Sequence, residues 1–286
     1  MKKKILCRLF EDTFGKSPDI SQIAGGGSPR EYFRISCQDV SVAGVLSEDV
    51  KENEIFLSLA SMLRGESINV PEIINVSDDG KAYLLEDLGD TLLFGELKGE
   101  NKMPLARRAL DALINFQLLP EDLWREKVGY KPFSGRLVNW DLNYFKYDFL
   151  KPSGIFFDEE KLEDDFELLR TRLASEELIT GLMYRDFQSR NVMVKDGDLW
   201  LIDFQGARKG PVCYDAASFV WQAKAPFTYE EREELTEYYV SELSRRKNLN
   251  IEKIREQLRL LILFRTLQVM GAYGFRGLIE GKRHFI

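Results

Sequence analysis

Short apolar runs separated by turn-forming residues dominate the first third of the chain. Each run is rich in β-branched or aromatic residues and is bounded by Gly, Ser or Asp, a pattern that indicates β-strands. The runs lie at residues 23–24, 31–36, 40–46, 73–76 and 82–85. Residues 49–63 carry apolar side chains at helical spacing, with Gly65 just beyond them. These elements predict a small antiparallel sheet with one main helix.

Helical periodicity replaces this pattern after residue 88. The predicted helices lie at residues 105–119, 162–173, 228–246 and 251–270, the third of them opening with a capping box. Residues 181–204 form a non-helical island among them. We therefore expect an α+β fold of two lobes, with a small sheet-containing lobe at residues 1–87 and a larger, mostly helical lobe at residues 88–286.

Composition excludes several classes of function. The chain has 286 residues and a net charge of −7, from 40 Lys and Arg against 47 Asp and Glu, which argues against a sequence-independent nucleic-acid binder. Its three cysteines lie far apart and make neither a disulfide framework nor a metal-ligand cluster. The single histidine, His284, excludes a metal site built from several histidines.

Targeting signals are weak in this sequence. The amino-terminal lysines resemble the start of a signal peptide, but Arg8 soon interrupts the apolar residues that follow. The longest strongly apolar stretch elsewhere, residues 260–264, is far shorter than the roughly 20 residues of a membrane-spanning helix. We therefore expect a cytoplasmic protein with neither a membrane nor a nucleic-acid partner.

The island at 181–204 contains the candidate chemistry. Asp196 and Gly197 form a strong hairpin-turn signal, and pairing outwards from that turn places Asn191 and Asp203 side by side at the open end. A short loop puts Asp186 at the same end. An amide oxygen and a carboxylate can hold Mg²⁺ together with phosphates, and a second carboxylate can accept a proton from an attacking hydroxyl. These groups predict a phosphoryl-transfer site.

The same residues resemble a known family. The run from Tyr184 through Asp186 to Asn191 resembles the kinase catalytic loop with Tyr in place of its first His, and Asp203-Phe-Gln resembles the Asp-Phe-Gly motif. The Asp-Phe-Gln form, with Gly-Pro-x-x-Tyr-Asp ending at Asp215, is more similar to the aminoglycoside phosphotransferase and choline kinase superfamily. Within it the chain resembles the bacterial anomeric kinases of N-acetylmuramate and N-acetylglucosamine.

That resemblance implies a protein-kinase-like fold and a reaction that uses ATP and Mg²⁺. Asp186 would be the catalytic base or would orient the acceptor hydroxyl, and Asn191 with Asp203 would bind the metal. Tyr184 would brace the loop. Asp215 is either a second brace, which binds the loop backbone, or an ordinary helix N-cap. The acceptor would be a small molecule, most simply the anomeric hydroxyl of an amino sugar, which is acidic enough for a modest base.

The nucleotide site carries an anomaly. The resemblance implies a loop over the phosphates, formed here by Gly25, Gly26, Gly27 and Ser28. It also implies a hinge whose backbone binds adenine, formed here by Glu86 and Leu88. The glycine loop is also compatible with a plain turn. The third strand lacks the expected phosphate-binding Lys. Arg34 or Lys51 would supply its charge, and Glu54 or Glu52 would be the matching helix glutamate.

The acceptor site is the least defined part. An aromatic platform, hydroxyl-binding carboxylates and a cation suit a sugar acid. The candidates are Trp140, Asp141, Tyr144 and Arg190, with Arg208 and Arg276 as further choices for the cation. Two alternatives stay open. One is another acceptor in the same superfamily, such as an aminoglycoside, choline or homoserine. The other is a non-catalytic nucleotide-binding module, which would account for the missing Lys.

Overall fold

The computed structural model describes residues 2–23 and 30–282, and the chain divides into two compact units. The first contains the described residues up to Gly129 together with Ser189–Ala207, and the second contains Tyr130–Gln188 together with the described residues from Arg208 onwards. The α+β class is confirmed, with an antiparallel sheet in the first unit and mostly helices in the second. The lobe boundary between residues 87 and 88 stays a prediction.

A five-stranded antiparallel sheet forms the centre of the first unit. Its strands are β1 Asp19–Gln22, β2 Glu31–Cys37, β3 Val40–Leu46, β4 Ile73–Val76 and β5 Ala82–Glu86, in the order β1-β2-β3-β5-β4. Four of the predicted runs are confirmed. The run predicted at 23–24 was placed too late, because β1 ends at Gln22, although the amide of Ile23 still donates to Tyr32 O at 2.9 Å. Ala24 lies outside the described residues.

One helix of this unit was not predicted. Helix α1, Lys2–Phe14, carries Leu6, Leu9 and Phe10 at helical spacing. These side chains are buried with Phe33 and Ile35 of the sheet in one apolar cluster. The lysines and arginine that made this segment resemble an interrupted signal peptide lie on other positions of an amphipathic helix.

Helix α2, Val50–Gly65, is confirmed close to its predicted bounds. The Asp49 side chain accepts from the amide of Glu52 at 3.0 Å and caps the helix. Asn53 is fully buried, and its amide donates to Ser47 O at 3.2 Å and to Gly80 O at 2.9 Å. The helix is therefore tied to the loops that lead into and out of the sheet.

The hairpin of the first unit has the predicted register. Strands β7 Val192–Lys195 and β8 Asp198–Leu201 pair antiparallel from Lys195 opposite Asp198 to Val192 opposite Leu201. The amide of Ile202 donates to Asn191 O at 3.1 Å and extends the ladder by one residue. The remaining helices of this unit are α3 Leu93–Glu96, α4 Lys102–Gln117 and α5 Glu121–Trp124.

Helices and a two-stranded ribbon form the second unit. The ribbon pairs β6 Thr180–Met183 with β9 Arg208–Pro211. The helices are α6 Gly135–Phe145, which runs into a π-helical turn at Lys146–Leu150, then α7 Glu159–Leu173, α8 Cys213–Val220, α9 Tyr229–Lys247 and α10 Ile251–Gly274, which runs into a second π-helical turn at Phe275–Ile279. The capping box predicted for α9 is present at Thr228 and Glu231.

Helix α10 is the central helix of the second unit. Its buried residues include Ile254, Leu258 and Phe264, and it packs against α6, α8 and α9. Within residues 2–23 and 30–282, the segment Ile251–Ile279 is long and apolar enough to cross a membrane, judged by length and composition alone. It meets that criterion because residues 266–275, beyond Arg265, carry no charge and are mostly apolar or small. A core helix of a soluble protein meets it as well.

Two glycines let α10 approach the backbone of α6 and its π-helical turn. A Cβ atom at Gly271 would lie 2.8 Å from the backbone N of Phe145, and one at Gly274 would lie 2.7 Å from Cα of Phe149. Both distances are shorter than van der Waals contact, and a backbone atom cannot move aside as a side chain can. The two helices therefore depend on glycine at these positions.

We expect Gly271→Ala to lower the free energy of unfolding by about 1–3 kcal/mol, the usual cost of overpacking a close contact. Gly65→Ala is the matched control, because Gly65 is exposed at the end of α2 with no heavy atom within 4 Å of the added Cβ. The control should be neutral or stabilising by up to about 1 kcal/mol through helix propensity. Urea unfolding followed by circular dichroism measures both, and equal stabilities of the two variants would contradict this packing.

Candidate active site

The hairpin of the first unit brings Asn191 and Asp203 together as predicted. The Asn191 side-chain amide donates to Asp203 Oδ2 at 3.5 Å, and the Gln205 amide donates to Asp203 Oδ1 at 2.8 Å. Asp203 has φ +66°, in the left-handed region that few non-glycine residues adopt. The chain therefore turns sharply at Asp203, two residues after β8 ends at Leu201.

The donor set at this turn fits a hard divalent cation. A carboxylate and an amide oxygen are ligands that Mg²⁺ accepts, and it commonly completes its shell with waters and substrate phosphates. Within residues 2–23 and 30–282, no group of three or more His, Cys, Asp or Glu side chains is placed to hold a metal ion. A metal at Asn191 and Asp203 would therefore need ligands from its substrate as well as from the chain.

Asp186 belongs to the loop that follows β6 in the second unit. The Gln188 amide donates to Asp186 Oδ1 at 2.5 Å, and the Gln222 amide donates to Gln188 Oε1 at 2.9 Å. Gln188 is buried and Asp186 is half-buried. The Asp186 carboxylate is thus oriented by a short chain of two glutamines, neither of which was among the predicted site residues.

Asp215 holds the backbone just before Asp186. Its Oδ2 accepts from the amide of Tyr184 at 2.8 Å, and its Oδ1 accepts from the amide of Arg185 at 2.9 Å. Asp215 is fully buried and lies inside α8, whose N-cap residue is Val212. Arg185 has φ +82°, a conformation that costs of order 1–3 kcal/mol in a non-glycine residue. Of the two roles open for Asp215 in the sequence, its contacts are those of a brace.

Asp141, predicted to bind the acceptor, is part of a buried polar cluster. Its carboxylate pairs with Arg185 at 3.4 Å, and Arg185 also donates to the Tyr214 hydroxyl at 2.6 Å. The Tyr214 hydroxyl in turn donates to Gln268 Oε1 at 3.0 Å. Burial raises the pKa of Asp141 against the opposing effect of Arg185. These contacts make Asp141 a partner of the catalytic-loop arginine.

The other predicted acceptor residues are dispersed. On α6, Trp140 is 72% exposed and Tyr144 is half-buried with its ring 6.1 Å from that of Phe275. Arg190 is exposed in the first unit. Of the further cations, Arg208 lies 4.5 Å over the Tyr130 ring, and Arg276 is exposed after α10. Tyr144 and Arg276 interact electrostatically, as do Asp141 and Arg208, whereas Arg190 belongs to the other unit.

A pocket between α8 and α10 was not predicted. It is partly open to solvent. Its lining residues are Ala217, Ser218, Trp221, Gln222, Ala223, Arg265, Thr266, Val269, Met270 and Tyr273. The sequence gives little indication of this pocket, because the almost wholly apolar middle of α10 predicts a buried core helix. Gln222 connects this pocket through Gln188 to Asp186.

The predicted nucleotide residues have mixed outcomes. Gly25, Gly26, Gly27 and Ser28 lie outside the described residues. Arg34 pairs with Asp87 at 2.8 Å and with Asp90 at 2.9 Å, and Glu54 lies on the exposed side of α2. Arg34 and Glu54 therefore do not form the expected cation–carboxylate pair.

Arg30 supplies a buried cation that the sequence reading missed. Its side chain is 1% exposed and lies 3.5 Å from the Glu52 carboxylate. The guanidinium also lies 5.6 Å over the ring of Phe56, which stacks at 4.9 Å on Phe204 of the Asp-Phe-Gln motif. Arg30 precedes β2 and shares a face with Tyr32, two residues on. Alternate residues of a strand lie on the same face, so the spacing of Arg30 and Tyr32 was the sequence feature that could have indicated this position.

Tyr32 places this cluster close to Asp203. Burial raises the pKa of Tyr32, Arg30 acts against that rise, and the Asp203 carboxylate adds to it. Burial also raises the pKa of Tyr83, again with Arg30 opposing and Asp203 contributing. A cation, a helix carboxylate and the candidate metal carboxylate therefore share one region of the first unit.

The predicted hinge residues lie at the end of β5. The Glu86 amide donates to Glu72 O at 2.8 Å, and Leu88 is buried. Lys195 of the hairpin donates to Glu86 Oε1 at 2.7 Å and to Asp87 O at 3.0 Å. The hairpin is thereby fastened to the segment expected to bind adenine. Because the Glu86 amide is bonded to Glu72, an adenine contact from Glu86 would use its carbonyl oxygen.

Comparison with known proteins connects the chain to one family. It is similar to the N-acetylmuramate/N-acetylglucosamine kinase of Pseudomonas aeruginosa, at 29% identity over 65% of this chain and 54% of that protein. It is also similar to the kinase of the same name from Pseudomonas putida, at 26% identity over 72% of this chain and 61% of that protein. The chain thus spans less than two thirds of the length of these relatives.

Solved structures share the fold at low sequence identity. A choline kinase from Cryptosporidium parvum matches with a TM-score of 0.69 at 12% identity, over 99% of this chain and 93% of that one. A putative aminoglycoside phosphotransferase from Ralstonia eutropha matches with a TM-score of 0.70 at 12% identity, over 98% and 90%. The expected protein-kinase-like fold is confirmed by these neighbours. The model of the phosphotransferase enzyme family matches residues 19–249, and the chain therefore belongs to that family.

Proposed function

We propose that this protein is an ATP-dependent kinase that transfers the γ-phosphoryl group to the anomeric hydroxyl of an amino sugar. The observation that carries the proposal is the arrangement around Asp186, whose carboxylate is oriented by Gln188 and whose preceding backbone is held by Asp215. Family membership supports the reaction class. The names of the similar Pseudomonas proteins support N-acetylmuramate or N-acetylglucosamine as the acceptor.

Asp186 orients the acceptor hydroxyl and accepts its proton as the oxygen attacks the γ-phosphorus. Phosphoryl transfer depends mainly on positioning and on charge stabilisation, so a fixed carboxylate is well suited to it. Gln188 donates to one carboxylate oxygen and holds the carboxylate in position. An anomeric hydroxyl is more acidic than an ordinary alcohol, which lowers the demand on the base.

Asn191 and Asp203 are the residues we assign to Mg²⁺. When bound there, the ion would neutralise phosphate charge. Gln205 donates to Asp203 Oδ1 and keeps that carboxylate oriented. The stacked rings of Phe56 and Phe204 couple helix α2 to this motif.

Arg30 and Glu52 are the pair we assign to the role of the missing third-strand Lys and its glutamate. In kinases such a pair ties the central helix to the nucleotide phosphates. Arg30 lies against Glu52 and Phe56 of α2 in the same unit as Asp203. The backbone of Glu86 and Leu88 remains our proposal for adenine, and residues 1–87 and 88–286 for the two functional lobes. We place the reaction in the cytoplasm.

Replacing Asp186 with Asn should lower acceptor-dependent ADP release about 10²- to 10⁴-fold, the usual contribution of a general base. Affinity for Mg-ATP, measured separately by titration calorimetry, should stay within about twofold because the fold and the metal residues are untouched. Asp164→Asn on the exposed side of α7 is the matched control and should retain full turnover. Full turnover by the Asp186 variant would remove the assignment.

Replacing Arg30 with Met should weaken ATP binding about tenfold or more, because a charge-assisted contact to phosphate is lost. Binding of adenosine should not change, and Arg30→Lys should keep most of the ATP affinity. Arg8→Met is the control, since Arg8 is exposed on α1. The assignment fails if the Arg30→Met variant binds ATP normally, or if it loses ATP and adenosine affinity equally.

A panel of acceptors separates the remaining alternatives. Kanamycin, choline and homoserine represent other acceptors of the superfamily, and the two amino sugars represent the proposal. ADP release with any of the first three alone would replace the amino sugar as the acceptor. Nucleotide binding without ADP release across the whole panel would favour a non-catalytic module.

A further inference from the structure

We propose that the pocket between α8 and α10 is the acceptor subsite and that Arg265 within it binds a carboxylate carried by the sugar. This inference rests on the kinase function proposed above and assigns to Arg265 a preference for amino sugars that carry a carboxylate. The pocket lies wholly in the second unit and is partly open to solvent, so a ligand can enter it directly.

The pocket is connected to the catalytic carboxylate by hydrogen bonds. Gln222 lines the pocket and donates to Gln188, which donates to Asp186. Two side chains thus separate the pocket from the proposed base. A sugar whose anomeric hydroxyl meets Asp186 would extend its substituents towards Gln222 and Arg265.

Arg265 is held in place with donor capacity left over. It donates to Gln268 Oε1, and its Nη2 donates to Ser218 Oγ at 2.8 Å, while the guanidinium lies 5.0 Å over the Tyr214 ring. These bonds use two of the five N–H groups that an arginine carries. The stacking and the two bonds fix the plane of the guanidinium, which is the preorganisation that bidentate carboxylate binding requires.

Two buried polar atoms of the pocket lack hydrogen-bond partners among the described residues. They are Arg265 Nε, a donor, and Gln222 Oε1, an acceptor. A buried polar atom without a partner is unfavourable because it has lost its hydrogen bonds to water, and a ligand with both acceptors and donors would offset that loss. An N-acetylated sugar acid offers a carboxylate, hydroxyls and an amide N–H. The unsatisfied pair therefore matches the polar groups of such a ligand.

The charge of the pocket selects against cationic acceptors. Of the described residues that line it, none is acidic and Arg265 is cationic. Asp141 acts electrostatically with Arg265, but its ion pair is with Arg185. Aminoglycosides and choline are cations and would meet a like charge here. The apolar wall of Trp221, Val269 and Met270 suits the C–H face of a sugar ring instead.

N-acetylmuramate and N-acetylglucosamine test this directly, because they differ by the ether-linked side chain that carries the carboxylate. We expect wild type to prefer N-acetylmuramate. Arg265→Met should raise KM for N-acetylmuramate about tenfold or more with kcat within about threefold, and should leave KM for N-acetylglucosamine unchanged. Arg265→Lys should retain part of the preference. Arg259→Met, on the exposed side of α10, is the matched control and should leave the ratio unchanged.

A second variant keeps Arg265 and its contacts intact. Thr266 is exposed and lines the pocket, so Thr266→Glu adds a carboxylate there and should weaken N-acetylmuramate selectively. An unchanged sugar preference in both variants, or an equal loss for the two sugars in folded protein, overturns the inference and leaves the kinase assignment standing. If wild type turns over neither sugar, the kinase assignment fails first. Calorimetric titration of N-acetylmuramate then decides the subsite, and no binding overturns it as well.

Discussion

The two hydrogen bonds from the backbone amides of Tyr184 and Arg185 to Asp215 are the interaction on which the proposed chemistry depends. They hold Arg185 in a left-handed conformation, one residue before the proposed base. A chain in that conformation turns sharply, so the direction of Asp186 is set by a buried carboxylate on α8. Strain at such a residue persists only where surrounding contacts fix it, and a fully buried acceptor of two amides does so.

Buried or half-buried arginines are supported in a similar way within each unit. In the second unit Arg185 meets Asp141 and Tyr214, and Arg265 stacks on the same Tyr214 ring. In the first unit Arg30 meets Glu52. Each buried cation is supported by an aromatic ring and by a polar partner, which lowers the desolvation cost of a charge. Guanidinium groups held this way keep N–H groups in fixed directions for anionic ligands.

Features set by residues close in sequence were predicted more accurately than contacts between residues far apart in sequence. The Asp196-Gly197 turn fixes the register of its hairpin, because side chains alternate faces and a slip by one residue would invert them. That is why the adjacency of Asn191 and Asp203 followed from spacing alone. Helix α1 was missed because the segment was tested only as a signal peptide and rejected as one, although Leu6, Leu9 and Phe10 have helical spacing.

The cation near α2 was missed for a different reason. The cation was expected on the third strand or on residues close to that strand in sequence. Arg30 is instead the residue before β2, and it lies against Glu52 because β2 pairs with β3. The pocket at Arg265 likewise depends on the packing of α8 against α10, which the apolar pattern of α10 did not specify. Contacts between elements distant in sequence are set by tertiary packing, which a single sequence encodes only weakly.

The proposed reaction transfers the phosphoryl group to the anomeric oxygen of an amino sugar. Phosphorus-31 NMR of the product formed from Mg-ATP and N-acetylmuramate tests it most directly, because a phosphate on the anomeric carbon couples to the anomeric proton. We predict coupling between the phosphorus and the anomeric proton, together with loss of the reducing end of the sugar. A phosphate on another hydroxyl, or no sugar phosphate at all, would contradict it.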